Sequence, residues 1–148
     1  MFLPQKPYLP LGTLRQALYY PYAPEGSTEN LSEILDLCHL SHLSTILDQS
    51  GNWAQSLSLG EQQRITFARI LLQKPDCMFL DEATASLDEE MEEMFHKLVR
   101  SRLSQAVVIS VGHRSSLLSW HQSKLRLMGG GKWLRFTEMT KFTESLVP

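Results

Sequence analysis

Apolar residues recur along this chain at two periods, and the change between them marks helices off from strands. Met91, Met94, Phe95, Leu98 and Val99 fall at i, i+3, i+4, i+7 and i+8, which is one stripe of a helix. Short apolar runs flank that stripe, Cys77-Met78-Phe79-Leu80 before it and Ala106 to Val111 after it. Such runs mark strands covered on both faces. Strand, helix and strand of these lengths predict a βαβ unit, a right-handed crossover onto a parallel sheet.

Upstream, the pattern predicts a helix from about Gly60 to Gln73. Ser58 with Glu61 three residues later forms a capping box, and Pro75 stops the helix. Leu31, Ile34, Leu35 and Cys38 keep helical spacing, and a second short helix is expected from His42 to Leu47. Gln49 to Gln55 is polar and reads as a connector carrying one exposed aromatic, Trp53. Pro4, Pro7, Pro10, Pro21 and Pro24 preclude a long helix at the start, leaving a short strand, an ordered loop and a brief helix capped by Thr13. At the other end, Leu125 to Met128 and Trp133 to Phe136 flank Gly129-Gly130-Gly131 and predict a hairpin.

Composition narrows the class. At 148 residues with 43% hydrophobic side chains the chain can bury one core. A net charge of −2 without a basic stripe argues against a nucleic-acid partner. Cys38 and Cys77 lack metal spacing and read as reduced core thiols of a cytosolic protein. Cys38, His39 and His42 do not complete a metal site, and His96 and His121 read as packing or surface residues. No run approaches the ~20 apolar residues of a membrane span, and Met1-Phe2-Leu3-Pro4 has no signal-peptide form. The chain is therefore expected to be soluble, with a membrane partner left open.

The candidate chemistry collects at strand ends. In parallel sheets, ligands bind outside the carboxyl ends of the strands. That rule selects Asp81 and Glu82 after one strand and Gly112-His113 after the next. An aspartate there can hold Mg²⁺, a glutamate can polarise an attacking water, and a histidine can meet phosphate charge. The amides and dipole at the start of the Ser58 helix favour an anion, and Gly60 permits close approach.

With these residues placed, LSLGEQQR (57–64) resembles the signature motif of ABC-type ATPases. CMFLDEATASLD (77–88) resembles their Walker B strand, catalytic glutamate and D-loop, VISVGHR (108–114) their histidine switch, and FLPQKPYLPLGTLR (2–15) their Q-loop. Tyr20-Pro21 and Trp53 are similar to one branch, the bacterial permease–ATPase fusions related to peroxisomal fatty-acyl half-transporters. The resemblance implies a partial P-loop NTPase fold of α/β class: a parallel sheet, a helical signature subdomain and a C-terminal β-hairpin. It divides the chain into a Q-loop region (1–24), the signature subdomain (25–75) and a Walker B, D-loop and H-loop region with the hairpin (76–148).

The same resemblance implies roles. Gln5 would sense Mg²⁺ and the attacking water and couple to the membrane domain. Ser58, Gly60 and Gln62 would contact the γ-phosphate of ATP held by a second ATPase subunit. Asp81 would support Mg²⁺, Glu82 would act on water, Asp88 would communicate across the dimer, and His113 would contact the γ-phosphate. Lys6 and Arg69 carry no assigned chemistry and read as solvated or structural. The parent function is ATP hydrolysis coupled to transport through a permease domain, at the cytoplasmic face of a membrane. An ATPase of the chromosome-maintenance kind is disfavoured, because the segment between Gln5 and Leu57 is short and lacks heptads.

One departure matters. The family's phosphate loop, GxxxxGK[ST], and its adenine-stacking aromatic are expected upstream of Gln5, and this sequence holds neither. Gly129-Gly130-Gly131-Lys132 is followed by Trp133 and falls in the expected hairpin, so it is no substitute. The expectation is the C-terminal portion of an ATPase domain, a truncated reading frame whose core is exposed on one side. Alone it would bind ATP weakly or not at all; the alternative is a partner module offering its signature helix to a complete subunit.

Overall fold

The structure is a computed structural model, and it describes residues 1–23 and 31–137. The expected start of a helix at Asn30 lies outside them. In chain order the elements are β1 (Phe2–Leu3), β2 (Gly12–Thr13), α1 (Leu14–Tyr19), α2 (Leu31–Leu37), β3 (Ser50–Gly51), α3 (Trp53–Ser56) and α4 (Leu59–Gln73). There follow β4 (Cys77–Asp81), α5 (Glu89–Arg102), β5 (Val107–Val111), β6 (Lys124–Gly129) and β7 (Lys132–Phe136). The chain divides into two compact units, Met1–Val111 and Gly112–Pro148.

In the first unit β1, β4 and β5 form a parallel sheet in the order β1-β4-β5. α5 connects β4 to β5, as the βαβ pattern predicts. Leu3, Met78 and Leu80 point to one face and are almost fully buried. On the same side Phe67 of α4 and Phe95 of α5 stack at 3.8 Å. The other face is different: Phe2, Phe79 and Ile109 lie in register and stay 62%, 47% and 42% exposed. The expectation of strands covered on both faces is corrected, because helices of this unit bury one side only. The expected one-sided exposure of the core is what the sheet presents.

Local signals hold well where they are dense. α4 starts at Ser58 with both halves of its capping box formed, and it ends at Lys74 in a left-handed conformation immediately before Pro75. Thr13 caps α1 through a second box with Gln16. The short helix expected from His42 to Leu47 forms as a 3₁₀ helix, Ser41–Ile46. His39 ends α2 at φ +54°, a left-handed step that no glycine marks in the sequence.

The connector around Trp53 is also corrected. Ser50–Gly51 pairs antiparallel with Gly12–Thr13, and Trp53 is 6% exposed, donating its indole N–H to the Gly12 carbonyl at 2.9 Å. Cys38 is buried and reduced, and burial pushes its thiol up to about 12. No helix among the described residues is long and apolar enough to cross a membrane. The second unit carries the antiparallel β6–β7 hairpin, turned by Gly130 and Gly131 at positive φ, as a two-residue hairpin turn requires. Lys132 opens β7.

Candidate functional site

The carboxyl ends of β1 and β4 lie side by side because the two strands are parallel, so residues leaving them meet on one edge. Asp81 is the last residue of β4 and alternates with Phe79 onto the uncovered face. Glu82 follows at φ +47°, unusual for a residue with a side chain. Its amide donates to the Val111 carbonyl at 2.9 Å and its carbonyl accepts from the Ala85 amide, so the turn is held from both sides. Gln5, two residues beyond β1, donates from Nε2 to Glu82 Oε2 at 2.7 Å. The structure thus brings Gln5, Asp81 and Glu82 together although 77 positions separate Gln5 from Glu82.

Ser58 and Gly60 sit at the start of α4. The Ser58 hydroxyl donates to Glu61 Oε2 at 2.6 Å and accepts from the Glu61 amide at 3.3 Å. These bonds, chiefly the Ser58 hydroxyl's, hold the Glu61 carboxyl below the usual carboxylate range, with a smaller contribution from His42 at 2.9 Å. Among the described residues a methyl group at Gly60 would meet only the Ser86 carbonyl, at an ordinary 3.9 Å, so none of them demands glycine there. What glycine provides is a bare surface at the helix start.

Gln62 is placed differently from its neighbours. It is 5% exposed and donates to the Ala54 and Leu57 carbonyls at 3.0 and 2.9 Å, holding the turn that precedes α4. Asp88 is exposed and caps α5, its Oδ1 accepting from the Met91 amide at 2.8 Å. His113 belongs to the second unit and is exposed, two residues beyond β5 along the chain. Lys6 is exposed, whereas Arg69 is buried and hydrogen-bonded to main-chain carbonyls.

Two residues near the site escaped sequence reasoning. Glu92 lies one position off the apolar stripe of α5 yet is 2% exposed and accepts a 2.6 Å hydrogen bond from Thr84. It ties α5 to the loop that follows Glu82. Glu61 was legible only as a capping partner, yet it also accepts the Ser58 hydroxyl proton. In both cases the signal was a glutamate three or four residues from a cap, too common a pattern to single out.

The donor set at the strand ends fits Mg²⁺. Asp81 offers a carboxylate and Gln5 an amide carbonyl, both hard oxygens, and Mg²⁺ typically takes one or two protein ligands with substrate phosphates and water.

Comparison with known proteins supplies the family and the fold. The family model described as ABC transporter matches residues 2–85. An ABC transporter ATP-binding protein of Haemophilus influenzae is 47% identical over 138 residues, which cover 90% of this chain and 23% of that protein. The human lysosomal cobalamin transporter ABCD4 is 42% identical over 144 residues, covering 90% of this chain and 23% of the transporter. Among solved structures, a bacterial Atm1-family ABC exporter with ATP bound superposes with a TM-score of 0.70 at 26% identity, over 84% of this chain and 22% of the exporter. The chain therefore spans less than a quarter of these relatives, and it belongs to the ABC transporter family, with the fold of its ATP-binding domain and relatives among the D-type half-transporters.

Proposed function

We propose that this chain is the C-terminal portion of an ATP-hydrolysing subunit that couples ATP turnover to transport across a membrane. The observation that carries the reading is the Gln5–Glu82 hydrogen bond of 2.7 Å at the carboxyl edge of a parallel sheet, beside Asp81. Glu82 polarises the attacking water, and Gln5 orients Glu82 and reports to a permease domain. Asp81 and Gln5 would hold Mg²⁺, which when bound neutralises charge on the phosphates. Ser58 and Gly60 face the γ-phosphate of ATP on a second subunit, Gln62 supporting them through the turn it braces. Asp88 and His113 keep the roles their motifs imply, at the dimer contact and the γ-phosphate. The assembly works at the cytoplasmic face of the membrane.

The phosphate loop that supplies backbone amides and a lysine to the β- and γ-phosphates is not in this sequence. The chain by itself is therefore expected to release no phosphate from Mg-ATP. Fused behind a segment carrying GxxxxGK[ST] from a relative, it should hydrolyse ATP. Glu82→Gln should then reduce the rate by about 10²–10⁴-fold, the span of a lost general base. Turnover by the chain alone that Glu82→Gln abolishes would overturn the inactive-alone reading. An active fusion indifferent to Glu82→Gln would overturn the site.

The exposed start of α4 favours a second reading, a module that lends Ser58 and Gly60 to a complete subunit. Co-purification with an intact ATP-binding subunit supports it, and no association at micromolar concentration rejects it.

A further inference from the structure

α4 does more than present Ser58. Three of its polar side chains reach back to the segment that carries Gln5. Gln63 Nε2 donates to the Gln5 carbonyl at 3.3 Å. Arg69 donates from Nε to the Ala17 carbonyl at 2.8 Å and from Nη1 to the Tyr8 carbonyl at 2.9 Å. Gln73 Nε2 donates to the Tyr19 and Tyr20 carbonyls at 3.2 and 2.8 Å. Every acceptor is a main-chain carbonyl, so the clamp grips the path of the segment, whatever its side chains.

The clamp is built at a cost. Gln63 is 1% exposed and Arg69 is 4% exposed. Gln63 Oε1 and Arg69 Nη2 are buried with no hydrogen-bond partner among the described residues. The guanidinium meets the Tyr20 ring at 5.4 Å in place of a carboxylate, and burial pushes it down to about 10. Apolar residues would pack a helix against this segment at lower cost. What the polar groups add is a fixed distance from α4 to particular carbonyls. Pro4, Pro7 and Pro10 fix φ at three positions around Gln5, so little slack separates the clamped carbonyls from the Gln5 side chain.

We propose that Gln63 and Arg69 are positioning residues that couple the exposed start of α4 to the Gln5–Glu82 contact. The catalytic meaning rests on the proposed ATP site: what meets Ser58 on one side is felt at the water-activating pair on the other. The coupling itself is a property of this chain and is measurable without nucleotide.

The experiment is NMR on the purified chain, reading the Gln5 side-chain amide signal and backbone amide exchange. Glu82→Ala gives the reference position of a Gln5 amide released from its carboxylate. In Gln63→Leu, which removes a hydrogen bond to the Gln5 main-chain carbonyl, the Gln5 side-chain signal should move toward that reference. Exchange across residues 5–20 should rise by about tenfold, the factor that one net hydrogen bond supplies, with β4 and β5 unchanged. Arg69→Met should loosen Tyr8 and α1 further, and Arg69→Lys, which restores one donor, should recover part of the protection. If Arg69→Met does not fold, Gln63→Leu decides alone. A Gln5 signal unmoved in Gln63→Leu, or exchange rising equally in β4 and β5, overturns the proposal. Failure of the ATP-site reading would leave these signals as expected and would appear only in the turnover of the fusion.

Discussion

Glu61 carries the clearest consequence of a single side chain. Its carboxylate accepts from the Ser58 amide and hydroxyl, closing the cap of α4, and sits at the positive end of the helix dipole. Both effects favour the charged form, so its folded pKa lies below its unfolded one. A carboxylate shifted that way stabilises the fold above its unfolded pKa and loses the contribution as pH falls through the folded one. Glu61→Gln keeps an acceptor for the cap but removes the charge, and should cost about 0.5 kcal/mol at neutral pH, the size of a helix-dipole contribution. The gap between variant and native chain should close on acidification below the ordinary carboxylate range. Urea melts at a series of pH values measure it, and a gap that widened in acid would contradict the sign. Most of this was legible, because Ser58 and Glu61 are local in sequence. The Gln5–Glu82 contact was not, since nothing local links residues 77 positions apart.

Among the elements, the contact between α4 and α5 organises the first unit. Phe95 is 2% exposed and stacks on Phe67 with ring centroids 3.8 Å apart. Phe95→Ala removes the stacked ring and leaves a cavity beneath the sheet, a change that costs about 3–5 kcal/mol in a well-packed core. The expected result is a large fall in the denaturant midpoint, and loss of less than about 1 kcal/mol, a surface-like value, would mean that the helices repack freely. The heptad-like stripe of α5 predicted Phe95 as core. It did not place Glu92 and left His96 as a packing or surface residue, and both are buried. A sequence period describes the apolar stripe alone; the width of the buried face depends on how many neighbours crowd the helix. The same reason explains Trp53, which looked exposed until the pairing of β2 with β3 enclosed it.

At the scale of the whole molecule, the sheet face that the helices of the first unit leave exposed sets the behaviour in solution. Parallel sheets are normally covered on both sides. Here Phe2, Phe79, Ile109, Val107 and Val111 present apolar surface on one face of β1, β4 and β5. Phe79→Gln should therefore change stability by no more than about 0.5 kcal/mol, as a surface substitution does. It should also lower self-association and the binding of an apolar dye. A cost above about 2 kcal/mol, the cost of a core truncation, would mean that another part of the molecule packs on this face. Chemical denaturation and sedimentation velocity on the same samples separate the two outcomes.

By itself the sequence determined what short-range physics controls: the caps at Thr13 and Ser58, the stop before Pro75, the alternation of β4, α5 and β5, the glycine hairpin, and the four motifs that mark the family. These depend on residues within a few positions of one another, where capping, proline geometry and side-chain period act directly. Tertiary structure decided what depends on distant partners. It joined Gln5 to Glu82 and turned Gln62 inward. It buried Glu92, His96 and Trp53, tied α4 to the Gln5 segment through Arg69, and left one face of the sheet open. Each of those outcomes follows from where parallel strands and crossing helices bring the chain back upon itself, and a local pattern carries no record of that.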